Sequence, residues 1–212
     1  AQEIRVRYNV NVQTVAADIT TQDGQDSVLD AAGMPDILVN NAGGPPPGMW
    51  SDWQRDDFLA ALDANMLTPI ALMTRVLPSM IEKKWGRVVN ITSQSVKAPI
   101  AVLGLSNSAR AGLTGYVAGT ARQVAPHGVN INNLLPGVHA TDRIAFLDQS
   151  VADSEGKPIE EIASERAASI PTGTYGSAAD FGAACAFLCS QQAKFMVGQN
   201  ILLDGGAINA TL

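Results

Sequence analysis

The sequence predicts an α/β fold in which helices cover both faces of a doubly wound parallel sheet. Short strand-like runs, such as residues 37–39 and 129–135, alternate with longer stretches whose apolar residues recur at helical spacing. The run at residues 37–39 is apolar throughout, which is typical of a strand buried on both faces of a parallel sheet. With 46% hydrophobic composition, the chain is expected to form one domain, residues 1–212, around a continuous core.

The first predicted elements are a strand, a helix and a loop. Residues 12–17 alternate weakly between apolar and polar side chains and predict a strand that ends at Asp18. Residues 20–32 predict a short helix with a polar face, which Gly33 ends. The run GGPPPG at residues 43–48 cannot be helical, because its prolines lack donors and its glycines permit tight turns.

A long helix is predicted next. Ser51 and Gln54 have the spacing of a capping box, and apolar residues then recur at helical intervals up to about Trp85. Pro69 and Pro78 fall inside this stretch, and proline within a helix bends it. The sequence therefore predicts one helix that is bent near both prolines.

The second half of the chain continues the alternation. The predicted elements are a strand at residues 86–93, a helix at 105–124, a strand at 129–135, a helix at 178–188 and a strand at 200–203. Residues 141–170 interrupt this regularity with a mixed, charged composition and a helical stretch near residues 160–168. They predict either a mobile lid over a site or an ordinary surface insertion.

Composition and charge exclude several classes of function. The net charge is -6 and the pI about 4.8, without the basic stripe that nucleic acid binding needs. No apolar run reaches the roughly 18 residues of a membrane helix, and the first residues do not resemble a secretion signal, so a cytoplasmic protein is expected. Cys185 and Cys189 are predicted to pack on one helix face, and no metal site is predicted because His127 and His139 lie elsewhere in the chain.

Three motifs carry the prediction of function. They are N-N-A-G at residues 40–43 after a buried strand, Ser93 at the end of GRVVNITS, and P-G-x-x-x-T at residues 136–141. Each lies where a parallel strand ends, the edge at which α/β sheets bind ligands. Together they resemble the short-chain dehydrogenase/reductase family over nearly all of the chain. The resemblance implies a Rossmann-like fold and an NAD- or NADP-dependent oxidoreductase that interconverts a ketone, 3-oxoacyl-like or another small carbonyl, and a secondary alcohol.

The resemblance assigns cofactor contacts to these strand ends. Asn40 would join neighbouring strand ends, since its amide both donates and accepts, while the backbone of Ala42 and Gly43 passes beside the cofactor ribose. The third motif would contact the nicotinamide amide through Pro136, Gly137, Val138 and Thr141. The segment that selects between NAD and NADP in the family is not among these residues.

Two further positions have alternatives. Asp18 matches the family aspartate that contacts the adenine amino group, but an aspartate at a strand end also caps a following helix. His139 lies within the third motif, on the expected substrate side, and could act as an acid near neutral pH. Its alternative is a solvated loop histidine.

Asn65 and Ser93 match two catalytic residues of the family. Asn65 falls in the middle of the predicted long helix, a position for which asparagine has poor propensity. In the family this asparagine supports a helix kink and holds a water of the proton relay. Ser93 matches the serine that hydrogen-bonds the substrate carbonyl.

Two other catalytic positions depart from the family. Its Tyr-x-x-x-Lys motif corresponds here to Ser106 and Arg110. A serine hydroxyl is a far weaker acid than a tyrosine, whereas Arg110 keeps the positive charge and can hydrogen-bond ribose hydroxyls. We expect the proton to come from a water held by Ser93, Ser106 and Arg110, or from a group of the substrate. The alternative is a catalytically impaired member that acts as a nucleotide-binding scaffold or sensor.

The resemblance also predicts assembly and a missing unit. Apolar faces at residues 60–77 and 113–121 suit a homotetramer or homodimer like those of related proteins. No glycine-rich turn precedes residue 34, so the N-terminal βαβ portion that holds a dinucleotide pyrophosphate, about 30 residues or more, is expected to be absent. In the family the missing strands lie between residues 12–17 and residues 37–39, so a gap with exposed strand edges is expected.

Overall fold

The computed structural model describes residues 1–211 and confirms the parallel α/β sheet. Within these residues four strands are adjacent in chain order, and every neighbouring pair is parallel. The strands are β1 (Ile37–Asn40), β2 (Gly86–Ile91), β3 (Val129–Pro136) and β4 (Asn200–Leu203). The α-helices are α1 (Gln2–Tyr8), α2 (Gln22–Ala32), α3 (Arg55–Leu62), α4 (Thr68–Glu82), α5 (Gly104–Val124), α6 (Asp142–Glu155), α7 (Ile159–Ala168) and α8 (Ala178–Cys189).

Helices cover both faces of the sheet. Val88 and Val89 are successive residues of β2 and therefore point to opposite faces. Val88 packs in a cluster to which α4 and α5 contribute Met73 and Val117, whereas Val89 packs in a second cluster with Leu188 of α8. Burial of each such side chain stabilises the fold by roughly 1.5–3 kcal/mol. No helix within residues 1–211 combines the length and the apolar composition that spanning a membrane requires.

The predicted strand at residues 12–17 is wrong. This segment pairs with no strand within residues 1–211, and the outer edge of β1 has no neighbour there. A strand persists only when a neighbour completes its ladder of hydrogen bonds, so an alternating pattern alone does not produce one. Ile37 and Val39 of β1, which point to the same face of the sheet, are 43% and 44% exposed.

The long helix begins later than predicted. Gln54, and not Ser51, is the N-cap of α3. Gln54 and Asp57 form a capping box in which the backbone N–H of Gln54 donates to the Asp57 carboxylate over 2.7 Å.

A π-helix, Asp63–Leu67, interrupts this helix, and the bends expected near Pro69 and Pro78 stay predictions. The N–H of Thr68 donates to the carbonyl of Asp63, five residues earlier, which adds one residue to this turn. Pro69 lies in the first turn of α4, where no N–H is needed, and α4 continues through Pro78 to Glu82.

Residues 141–170 form two helices where one was predicted. The helix α7 coincides with the predicted stretch at residues 160–168, whereas α6 was missed because its apolar residues are not concentrated on one face. Asp148 of α6 is only 2% exposed. Its carboxylate accepts hydrogen bonds from Arg166 of α7 over 2.6 Å and from the hydroxyl of Tyr175 over 2.8 Å. This buried carboxylate joins α6, α7 and the chain leading to α8.

Candidate active site

A row of asparagine amides crosses the sheet from the carboxyl end of β1 to the first residue of β4. Asn40 Nδ2 donates to Asn90 Oδ1 over 2.8 Å, and Asn90 Nδ2 donates to Asn133 Oδ1 over 3.2 Å. Asn133 Nδ2 then donates to Asn200 Oδ1 over 2.8 Å. Asn40 therefore joins neighbouring strand ends as predicted, and the row holds all four strands in one register.

The turn that follows β1 leaves its backbone open on one side. A Cβ added to Gly43 would meet no atom within 4 Å. The carbonyl of Ala42 accepts from Nη2 of Arg110 over 3.4 Å, so the turn lies against α5. This open backbone fits a cofactor that passes beside Ala42 and Gly43, and that contact stays a prediction.

Asn65 lies at the centre of the π-helix and is 3% exposed. Its Oδ1 and the hydroxyl of Thr68 have no hydrogen-bond partner within residues 1–211. Both residues line a cavity of about 20 Å³ that Asn40 and Arg110 also line. This volume suffices for one water molecule, and an amide oxygen without a protein partner is suited to hold it. The predicted role of Asn65 in a proton relay fits this geometry.

Ser93 lies directly after β2 and is half-buried. Its Oγ accepts the backbone N–H of Ser95 over 3.1 Å. Because that bond uses a lone pair of Oγ and not its hydrogen, the Ser93 hydroxyl remains able to donate to a carbonyl oxygen.

Ser106 and Arg110 lie one turn apart on α5, and both are buried. Arg110 Nε donates to Ser106 Oγ over 3.2 Å, and Arg110 Nη1 donates to the carbonyl of Ile91 over 2.9 Å. Burial, and then repulsion by Arg143, lower the pKa of Arg110 to about 10. The guanidinium is thus a fixed, desolvated cation beside the Ser106 hydroxyl.

One cavity of about 520 Å³ is lined by some of the predicted site residues, but not by Asp18, Asn40, Ala42, Gly43, Asn65 or Thr141. Ser93 lines it from β2, Ser106 and Arg110 from α5, and residues 136–138 from the end of β3. The helices α6 and α7 line the opposite side. Its apolar lining comes from Ile100, Val102, Leu103, Ile144, Leu147 and Val151. The volume lies in the range of roughly 300–1,000 Å³ that is usual for small-molecule sites.

The third motif closes one end of this cavity. The N–H of Gly137 donates to the carbonyl of Leu203 over 2.7 Å, and a Cβ on Gly137 would lie 2.6 Å from Cα of Asp204. Only glycine, which has no side chain, permits these two backbone segments to approach so closely. Thr141 is the N-cap of α6, where its hydroxyl accepts the N–H of Ile144 over 3.4 Å. Nicotinamide contacts at these residues stay predictions.

His139 lies outside the large cavity, so the expectation that it faces the substrate side is wrong. Its ring packs edge-on against Phe181, and its Nδ1 lies 3.3 Å from the carbonyl of Gly137. It lines a separate cavity of about 230 Å³ with Val138 and Tyr175. His139 is also half-buried, and not a solvated loop residue.

Asp18 does not cap the following helix. Its Oδ1 accepts from the N–H of Thr20 over 2.9 Å and from the Thr20 hydroxyl over 2.7 Å, and the hydroxyl bond is the main cause of its lowered pKa. The N-cap of α2 is Thr21. Ile19, next to Asp18, lines the same small cavity as Asn40. The adenine contact of Asp18 stays a prediction.

Sequence reasoning missed Arg143, which lines the large cavity from the first turn of α6. No signal in the sequence indicated it, because α6 itself was not predicted. Asn90, Asn133 and Asn200 were also missed. Their spacing within separate strands carries no signal until the strand register is known.

Comparisons with known proteins identify the family of this chain. A family model described as enoyl-(acyl carrier protein) reductase matches residues 1–208. The acetoacetyl-CoA reductase of Cupriavidus necator is 31% identical over 189 residues, which are 88% of this chain and 72% of that protein. The 3-oxoacyl-[acyl-carrier-protein] reductase FabG of Vibrio cholerae is 29% identical over 202 residues, 92% of this chain and 78% of that protein.

The fold is also similar to that of a solved structure. The crystal structure of YwfH, an NADPH-dependent reductase involved in bacilysin biosynthesis, matches with a TM-score of 0.91 and 27% identity. The match covers 99% of this chain and 83% of that one. With residues 1–208 matched by the family model and the strand-end motifs on one side of the sheet, the chain belongs to the short-chain dehydrogenase/reductase family and is an NAD(P)-dependent oxidoreductase.

Proposed function

We propose that this protein interconverts a ketone and a secondary alcohol, with a 3-oxoacyl compound or another small carbonyl as substrate. The observation that carries the proposal is the convergence of Ser93, Ser106 and Arg110 on one cavity at the carboxyl edge of the sheet. Two relatives have names that describe reduction of 3-oxoacyl thioesters, which supports the same reaction class. The comparisons give no support to a catalytically impaired scaffold.

The residues that would hold the cofactor surround the same edge. The open backbone at residues 40–43 suits a ribose, and Arg110 is placed to hydrogen-bond its hydroxyls. The loop at residues 136–141 suits the nicotinamide amide. The nicotinamide supplies the hydride when it is bound. The described residues do not decide between NAD and NADP.

Ser93 orients the substrate. Its hydroxyl donates to the carbonyl oxygen, which places the carbonyl carbon at the end of β2. The bond from the Ser95 N–H fixes the Ser93 oxygen, so orientation requires no rearrangement of the site.

The proton for the alcohol oxygen needs a source other than tyrosine. Ser106 alone is too weak an acid, but the buried cation of Arg110 lies 3.2 Å from its oxygen and stabilises negative charge there. A water that is hydrogen-bonded by Ser93 and Ser106 can protonate the oxygen, with Arg110 stabilising the hydroxide that results. A proton from an acidic group of the substrate is the alternative.

Ser106→Tyr tests this arrangement. A phenol beside Arg110 is a stronger acid than serine or water, so we expect the rate of hydride transfer to rise about 10-fold or more. Ser106→Ala should lower it, because the water loses a partner. Single-turnover kinetics of the full-length protein with saturating NADPH or NADH and a panel of ketones measures both changes.

Ser108→Tyr is the matched control, since Ser108 lies on the exposed side of the same helix. An unchanged rate in both Ser106 variants would remove Ser106 from the chemistry. Cofactor binding without turnover of any ketone would refute the proposed reaction.

We also propose a homotetramer or homodimer in the cytoplasm. Of the predicted apolar faces, Leu113 and Val117 are buried in the core of this chain and are not available to a partner. Leu59 and Leu67, at 46% and 49% exposed, remain free for a contact between copies.

A further inference from the structure

Two arginine side chains converge beside Gly44 at the large cavity. A Cβ added to Gly44 would lie 3.1 Å from Nη1 and 3.7 Å from Nη2 of Arg143, and 3.8 Å from Nη2 of Arg110. Arg143 reaches this point from α6 and Arg110 from α5. The two guanidinium groups therefore lie against the same short stretch of backbone.

Protein carboxylates do not neutralise these two charges. Within residues 1–211, the arginines in ion pairs are Arg75 and Arg166. Arg110 donates to a hydroxyl and two carbonyls, which carry no net charge. The cavity lining includes Arg110, Arg143 and Arg166 but no aspartate or glutamate, although the chain as a whole has a net charge of -6.

A bound anion would relieve the repulsion between these two cations. Arg143 is a cause of the lowered pKa of Arg110, after burial, so the two cations repel each other. Arg143 also lies in the first turn of α6, where the helix dipole disfavours positive charge. Arginine forms paired hydrogen bonds with carboxylates, whose charge offsets both effects.

We propose that Arg143, with Arg110 behind it, binds a carboxylate of the substrate, so that the preferred substrates are keto acids. The inference rests on the proposed ketone reduction, since it names the substrate class of that same site. The carbonyl lies at Ser93 and the carboxylate at Arg143, because both residues line one cavity. Apolar residues of that cavity, such as Ile144 and Leu147, contact the carbon chain between the two groups.

The test compares keto acids with their uncharged esters. The probes are 2-, 3- and 4-oxohexanoate and the methyl ester of each, titrated calorimetrically into the full-length protein with NADP⁺ or NAD⁺ bound, whichever binds more tightly. Arg143→Met keeps an unbranched apolar stem and removes the charge, and Arg143→Lys keeps the charge without the paired hydrogen bonds. Arg55→Met removes the same charge from an exposed residue of α3 that does not line the cavity and serves as the control.

We expect the wild type to bind at least one acid more tightly than its ester. Arg143→Met should weaken binding of that acid about 10- to 100-fold and leave the ester unchanged, with Arg143→Lys intermediate. Arg55→Met should change neither. Thermal unfolding of each variant checks that the fold is retained.

Three outcomes would overturn the proposal. If the wild type does not prefer any acid, or if Arg143→Met weakens acid and ester alike, Arg143 does not bind the substrate carboxylate. If Arg143→Met instead weakens binding of the cofactor, the anion is a cofactor phosphate. Binding is measured without turnover, so a protein that prefers acids but reduces none keeps the anion site and refutes only the ketone reduction.

Discussion

The two sides of the large cavity are held in place differently. On one side, Ser93 follows a strand whose end is fixed by a row of buried amides that spans the sheet. On the other, the α6–α7 segment (residues 142–168) is exposed at Phe146 and is joined to the neighbouring chain through the buried carboxylate of Asp148. The groups assigned to the reaction therefore lie on the strongly fixed side, and the residue assigned to substrate selection, Arg143, lies on the other.

Ser93→Ala should have the largest effect on kcat and should distinguish the two sides of the cavity. Without its hydroxyl the carbonyl oxygen loses a positioned donor, so kcat should fall about 10²- to 10³-fold. Ser150→Ala removes the same hydroxyl from the α6 side of the cavity and should change kcat less than about 3-fold. Steady-state kinetics with the best ketone of the panel measures both, and equal losses would show that the two sides do not differ in this way.

Removing an asparagine from the amide row should lower the stability of the protein. Asn133 is 1% exposed and both donates to and accepts from a neighbouring asparagine. Asn133→Ala leaves buried partners unsatisfied and should lower the free energy of unfolding by about 1–3 kcal/mol. Asn200→Ala should cost less, because Asn200 ends the row on a partly exposed strand that water can reach. Urea unfolding of both variants measures the difference, and a larger loss for Asn200→Ala would contradict a row anchored in the buried strands.

The elements that could be predicted from the sequence are those whose pattern is local. Residues 129–135 form a buried strand, and residues 178–188 form a helix. Both agree with the prediction from the spacing of apolar residues within each segment. Residues 12–17 form no strand, since a strand depends on a neighbour that local pattern does not reveal. The π-helix was missed for a related reason, as it lies against α5, a contact that local pattern does not reveal.

The same distinction applies to the site. Ser93 and the turn at residues 40–43 were found because they lie directly after strands, where α/β folds bind ligands. Arg143 was missed because its relation to Gly44 and Arg110 exists only after three distant segments of the chain come together. The sequence predicted which residues lie at the strand ends. The packing of α6, which brings Arg143 to the cavity, could not be predicted from it.

Tyr175→Phe should have the smallest effect of these substitutions, and it tests only the α6–α7 side of the cavity. Its burial, and then its hydrogen bond to the Asp148 carboxylate, raise the pKa of Tyr175 to about 12 from an ordinary value of 10.0. A group that binds its proton more tightly in the folded state contributes stability below pH 10 and loses that contribution between pH 10 and about 12. Tyr175→Phe lacks the bond throughout and should be less stable than the wild type by about 1 kcal/mol at pH 8. Urea unfolding between pH 8 and 12 should show this difference shrinking as the pH rises, with kcat of Tyr175→Phe near that of the wild type at pH 8. A difference that stays constant to pH 12 would mean that Asp148 does not hold the Tyr175 proton, and the α6–α7 segment would then depend on Arg166 alone.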